Sequence, residues 1–196
     1  MKAQMIRIGL AGAALAASIA MLSGCVPLVV GAGVAAGAAV ATDRRTTGTQ
    51  LDDEVIEDRA VLEIHERFKG DFHVNVTSYN GIVLLTGEVP AESAKADVEN
   101  LVRSNPKVRA VQDELAVGPV TDLGSRSNDT LITSKVKARF VEANKFQINH
   151  VKVVTERGVV YVIGIVTRDE GTAAGELAST TSGVQRVVKV FEYISG

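Results

Sequence analysis

Hydrophobic and polar positions along this chain follow a pattern that occurs twice. In the first occurrence Ile56, Ala60, Ile64 and Phe68 recur every four residues, the spacing of one helix face. Val74-Asn75-Val76 follows, then Asn80-Gly81, then the run Ile82 to Val89. Two β-branched runs joined at Asn-Gly predict a β-hairpin. Ala94, Val98, Leu101 and Val102 restore the helical spacing, and Val111 to Val117 closes the unit as a third strand. In the second occurrence Ile132, Val136 and Phe140 mark the first helix. Val151-Lys152-Val153, Arg157-Gly158 and Val159 to Val166 form the second hairpin. Glu170, Ala174, Leu177 and Ala178 mark the last helix, and Val187 to Ile194 the last strand. Each unit therefore reads helix, strand, strand, helix, strand.

The two hairpins are offset by 77 positions (Val74 to Val151) and the helices by 76 (Ile56 to Ile132). Insertions are cheap in loops, so a one-residue change of offset belongs there. Gly87 and Gly164 interrupt equivalent strands, which predicts a bulge or a close backbone approach. Thr167 with Glu170 makes a capping box for the last helix. The stripes at helical spacing are read as core. Two helices in each unit must then cover one face of a three-stranded mixed sheet, giving an α+β fold of two tandem αββαβ domains. The expected boundaries are 52–117 for the first unit, 118–127 for a linker and 128–196 for the second. Units this small are marginal alone, so each is expected to depend on its twin.

Ahead of the repeats the pattern changes. Lys2 and Arg7 precede an uncharged run that begins at Ile8 and reaches the small residues Ser23 and Gly24, the layout of a secretory signal peptide over 1–24. Uncharged residues continue to Ala41, so a signal anchor spanning the membrane is the competing reading. Leu22-Ser23-Gly24-Cys25 resembles the lipobox of bacterial lipoproteins. That resemblance implies cleavage before Cys25 and lipid on its thiol and amine, with residues 25–51 as a Gly/Ala-rich, then polar, tether. Val26 stands where an Asp would favour inner-membrane retention, so the same resemblance implies the outer membrane, facing the periplasm.

Composition narrows the function. Cys25 is the only cysteine, Trp is absent and aromatics make up 4% of the chain, so stability must come from an aliphatic core without disulfides. Residues 52–117 hold fourteen acidic and seven basic side chains, a net of −7; residues 128–196 hold seven acidic and nine basic, a net of +2. The asymmetry suggests different partners for the two units. Neither half is basic enough for nucleic acid to be the main partner. His65, His73 and His150 lack metal-ligand spacing, and no Ser/His/Asp or Cys/His arrangement can be assembled, so no enzyme, metal or cofactor is expected. Gly31-Ala32-Gly33 with Gly37 lacks the strand that a nucleotide loop requires. Asp52, Asp53 and Glu54 read as a helix N-terminus favoured by the dipole.

Two copies of this order, with Ser127-Asn128-Asp129-Thr130, Gly158-Val159-Val160-Tyr161-Val162-Ile163-Gly164 and Ser182-Gly183-Val184-Gln185-Arg186-Val187 in the second, resemble BON domains. Lipobox, Asp43 to Gln50 and two such copies together resemble the dual-BON outer-membrane lipoproteins of the DolP/YraP type. The resemblance implies binding to anionic, phosphatidylglycerol-like phospholipid, a role in outer-membrane integrity, and lipid contact through the first helix of the second copy. On that helix Leu131, Lys135, Ala138 and Glu142 fall along one flank of the core stripe, with Arg139 between flank and core and Lys137 on the far side. Leu131, Lys135, Ala138 and Arg139 are the candidate lipid-binding residues: an apolar group that can insert among cations that can meet phosphate. Family members often carry a tryptophan where this chain has Leu131. The alternative is an adaptor that docks envelope proteins of outer-membrane assembly or division, through the acidic first copy or through exposed strand edges.

Overall fold

The structure is a computed structural model that describes residues 43–70 and 72–196. The signal sequence and Cys25 lie outside the described residues. The element order is α1 (Thr47–Arg67), β1 (His73–Tyr79), β2 (Ile82–Val89), α2 (Glu92–Arg103), β3 (Ala110–Val117), α3 (Leu123–Ala143), a short 3-10 turn (Ile148–His150), β4 (Val151–Glu156), β5 (Val159–Val166), α4 (Arg168–Ser179) and β6 (Arg186–Tyr193). Each copy is thus αββαβ. Its sheet runs β1-β2-β3 or β4-β5-β6, with the hairpin antiparallel and the last strand parallel to the central one.

Every predicted stripe faces a core. Ile56, Ala60 and Ile64 of α1 pack with Val98, Leu101 and Val102 of α2 on one face of the first sheet. Ile132, Val136 and Phe140 of α3 pack with Ala174 and Ala178 of α4 on the second. The opposite faces of the two sheets meet each other. Tyr79 and Leu84 pack against Tyr161, Ile163 and Ile165 in a third cluster. This accounts for the nearly unbroken apolar runs of β2 and β5, which are covered on both sides. The two copies accordingly belong to one compact unit.

Polar contacts cross the same seam. Lys152 Nζ donates to Glu57 Oε1 at 2.7 Å and to the Ser78 carbonyl at 3.0 Å, and Arg109 donates to Glu192 at 2.9 Å. The Tyr79 hydroxyl donates to the Asn149 carbonyl at 2.8 Å, and burial, followed by the nearby Asp43 charge, pushes that phenol up to about 12.

Both hairpin turns have two consecutive residues at positive φ, Asn80-Gly81 (55°, 72°) and Arg157-Gly158 (52°, 74°), the backbone of a two-residue primed turn. The glycines inside β2 and β5 mark close approaches without a bulge. A Cβ on Gly87 would lie 2.0 Å from the His73 carbonyl oxygen, and one on Gly164 2.2 Å from that of His150; the β1–β2 register continues past Gly87, and Gly164 is the last pair of β4 with β5 while the pairing of β5 with β6 runs on.

Two sequence expectations are corrected. Asp53 is not in the first turn of a helix, because α1 begins at Thr47 with Thr46 as its cap. Asp53 is buried one turn further in and accepts from Asn80 N, Gly81 N and Ser78 Oγ at 2.8, 2.8 and 2.6 Å, so it fastens the hairpin turn to the helix. Asp129 does the same for Arg157 N and Gly158 N at 2.8 and 2.9 Å. The helices also start earlier than their apolar stripes. Residues 47–51 continue α1 into the stretch read as tether, and Leu123 to Ser127 begin α3 behind the Asp122 cap. Ahead of α1, Arg44 donates twice to Glu170 (2.6 and 3.0 Å) and to the Ile165 carbonyl at 2.8 Å, so this leading segment is held by the second copy.

Candidate functional site

The candidate surface is built on α3. Ile132, Val136, Phe140 and Asp129 turn one side of this helix into the second core. The opposite side is left to solvent, and helical spacing lines up Leu131, Ser134, Ala138 and Val141 along it. Leu131 is 58% exposed and Val141 63%, large values for apolar side chains in a folded body. Lys135 and Lys137 are exposed beside this stripe, and Lys145 is exposed just past the C-terminal end of the helix.

The hydroxyls on this side of α3 turn inward to their own backbone. Ser127 Oγ donates to the Leu123 carbonyl at 2.8 Å, Thr130 Oγ1 to Arg126 at 3.0 Å and Ser134 Oγ to Thr130 at 2.9 Å. Their hydrogen-bond capacity is partly met within the helix, which reduces the cost of moving this face into a less polar medium.

The four candidate residues do not share one role. Leu131, Lys135 and Ala138 are exposed and adjacent. Arg139 is half-buried and donates to the Leu177 carbonyl at 2.7 Å and to the Thr180 and Thr181 hydroxyls at 2.9 Å each. Its guanidinium satisfies the C-terminal end of α4 and ties α4 to α3. Val141 is absent from the candidate set of the sequence although it shares the same face. The available signal was the i, i+3, i+7, i+10 spacing from Leu131.

The first copy carries an equivalent stripe in a more acidic setting. Val55 occupies the position of Leu131, Leu62 that of Ala138 and Leu51 that of Ser127, each 76 residues earlier. All three are exposed, Leu62 by 64%. Their exposed neighbours include Glu54 and Asp58, where α3 has Thr130 and Ser134, while Arg59 matches Lys135 and Glu66 matches Glu142.

Among the described residues no helix is long and apolar enough to cross a membrane. One group of side chains, His73, Glu88 and Glu156, brings metal-ligating atoms together; it lies at the seam between the copies, not on the exposed stripe of α3.

Comparison with known proteins places the two units in a family. The BON domain description matches residues 52–119 and 128–195. The chain is 41% identical over 175 residues to the outer membrane lipoprotein DolP of Haemophilus influenzae, covering 88% of this chain and 90% of that one. It is 35% identical over 154 residues to a 21 kDa hemolysin of Actinobacillus pleuropneumoniae, covering 78% and 79%. It is 27% identical over 157 residues to the osmotically-inducible protein Y of Escherichia coli, covering 78% of each.

Proposed function

The chain belongs to the BON-domain family as a dual-BON protein of the DolP type, and from that membership we propose that it is an outer-membrane lipoprotein that faces the periplasm, binds anionic phospholipid through α3 of its second copy and thereby supports outer-membrane integrity. The observation that carries this reading is the contrast between α3 and α1, two exposed apolar stripes at equivalent positions, of which α1 has Glu54, Asp58 and Val61 where α3 has Thr130, Ser134 and Lys137.

Lipid on Cys25 holds the folded body at one membrane surface, so α3 meets phospholipid at a high effective concentration. Lys135, Lys137 and Lys145 supply attraction, each worth about 1 kcal/mol near an anionic surface. Leu131, Ala138 and Val141 enter the boundary between headgroups and acyl chains, where each buried methylene adds about 0.8 kcal/mol. Arg139 acts through packing, by keeping α4 docked behind the helix that makes the contact. No bond is made or broken, so the activity is recognition and not catalysis.

Chemical-shift mapping of residues 26–196 with anionic micelles tests the location. Perturbations centred on Leu131, Lys135, Ala138 and Val141 support the reading; perturbations centred on α1 or on a strand edge contradict it.

A second reading rests on the α1 stripe. Leu51, Val55 and Leu62 in an acidic surround suit a protein partner with a basic, apolar groove. Crosslinking from Val55 in intact envelopes that recovers one protein, together with no lipid binding in vitro, would favour this adaptor reading.

A further inference from the structure

His73, Glu88 and Glu156 come from β1, β2 and β4, two strands of the first copy and one of the second. Nδ1 of His73 lies 3.4 Å from Glu88 Oε2 and 3.9 Å from Glu156 Oε1, and the three ligating atoms all lie within 4.8 Å of one another. Nδ1 is buried and makes no hydrogen bond. Glu88 is wholly buried and Glu156 is 6% exposed, yet among the described residues neither carboxylate pairs with a lysine or arginine. Burial, and then the Glu88 charge, raise the Glu156 carboxyl above its ordinary value, against the opposing pull of His73. Two buried carboxylates thus face one imidazole nitrogen.

The spacing suits a metal. Tetrahedral zinc with nitrogen and oxygen ligands at about 2.0–2.2 Å places those ligands about 3.3–3.6 Å apart. The observed separations need only small side-chain movements to reach that. The outer contacts also orient the ligands. The Thr121 backbone N–H donates to Glu88 Oε2 at 3.2 Å and the Thr121 hydroxyl donates to Oε1. Asn75 Nδ2 donates to Glu156 Oε2 at 2.9 Å, which leaves Oε1 turned toward His73. Such partners fix ligand orientation and raise affinity. His73 and Glu156 also line a groove of about 520 Å³, through which water can reach a fourth coordination position.

The repeat supplies an internal comparison. Residues 77 positions on from His73 and Glu88 are His150 and Ile165, and 77 positions before Glu156 is Tyr79. At that other end of the seam Tyr79 and Ile165 close the gap with apolar packing. That end also holds one carboxylate, Glu170, which lies 3.4 Å from His150 Nδ1 and is paired by Arg44, whereas the His73 end has two buried carboxylates and, among the described residues, no lysine or arginine on either.

We propose that His73, Glu88 and Glu156 bind one divalent transition-metal ion of the zinc class, which clasps the two BON copies together at this end of the seam. Neutral imidazole and carboxylate are a ligand set that zinc accepts. The ion neutralises the carboxylates and links β1 and β2 to β4 across the copies, with Thr121 bringing in the connection between them.

The test uses the full-length protein in non-ionic detergent, stripped with a chelator and titrated with zinc chloride by calorimetry, with thermal unfolding followed in parallel. The expected result is one zinc per chain and a higher unfolding temperature in its presence. His73→Ala and Glu156→Gln should each weaken binding at least tenfold and abolish the thermal shift. Glu156→Gln keeps an acceptor for Asn75 and removes one of two repelling charges, so it should fold at least as well as the parent without zinc. It remains decisive should His73→Ala fail to fold. Absence of one-to-one binding in the parent, or binding undiminished in Glu156→Gln, overturns the proposal.

Discussion

Val55 on α1 and Leu131 on α3 occupy the same position in the two copies, are exposed by 52% and 58%, and differ in the charge around them. Glu54 and Asp58 flank Val55 where Thr130 and Ser134 flank Leu131, and Lys137 stands where α1 has Val61, while Arg59 matches Lys135. The apolar geometry is shared, so in the proposed function charge is what distinguishes the second copy from the first.

That distinction can be reversed by charge alone. Glu54→Lys with Asp58→Lys should give α1 an affinity for anionic vesicles even in a background where Leu131→Glu has disabled α3. At about 1 kcal/mol for each basic residue gained, and more for acidic groups removed, two reversals should strengthen association by at least thirtyfold. Co-sedimentation with phosphatidylglycerol vesicles reads this. Association that stays at background would show that the α3 backbone or its lipid contacts, not charge, set the preference.

The two hairpin anchors should matter more than their surface-like residue type suggests. Asp53→Ala strands the Asn80 and Gly81 N–H groups and removes an ion partner of Arg45. A cost of about 2–4 kcal/mol follows from the penalty for each unpaired buried donor. Asp129→Ala should cost somewhat less, since it accepts from two backbone donors and lacks the arginine. Urea unfolding of both variants checks the order.

Gly87→Ala and Gly164→Ala should each destabilise by about 2–4 kcal/mol, because the added carbon meets a histidine carbonyl oxygen at 2.0 or 2.2 Å and a backbone strand must move. Gly118→Ala, where nothing lies near, should be neutral in the same urea series.

The leading segment should confer acid-sensitive stability. Burial raises the Glu170 carboxyl, but the Arg44 guanidinium and the Thr167 N–H more than offset this and hold it below its ordinary 4.5. A lowered native value contributes stability above the unfolded value, and that contribution is lost as pH falls through the native one. Arg44→Ala should therefore be less stable than the parent at pH 7 by on the order of 1 kcal/mol, with the difference shrinking below about pH 4. Thermal unfolding across pH 3–7 measures it.

What the sequence disclosed, and what it concealed, divides by range. The repeat, the core stripes from Ile56 and Ile132, both hairpins and the Thr167 capping box all follow from neighbours within a few positions, and each is present. Asp53 was read as a dipole partner because acidic residues cluster there. Its true role had a signal, since Asp53 and Asp129 precede Ile56 and Ile132 by the same three positions and so share the buried face. Arg139 looked like a cation beside the exposed flank, and only the packing of α4 shows where its guanidinium goes. His73, Glu88 and Glu156 are separated by as many as 83 positions and meet only because two sheets stack face to face, which no local spacing encodes.

Vesicle binding by residues 26–196 without the lipid anchor tests the central claim most directly. The parent should associate with vesicles containing phosphatidylglycerol and not with neutral phosphatidylcholine vesicles. Leu131→Glu with Lys135→Glu should abolish that association while leaving the unfolding temperature unchanged, since both side chains are exposed. Unchanged binding in the double variant would contradict the account.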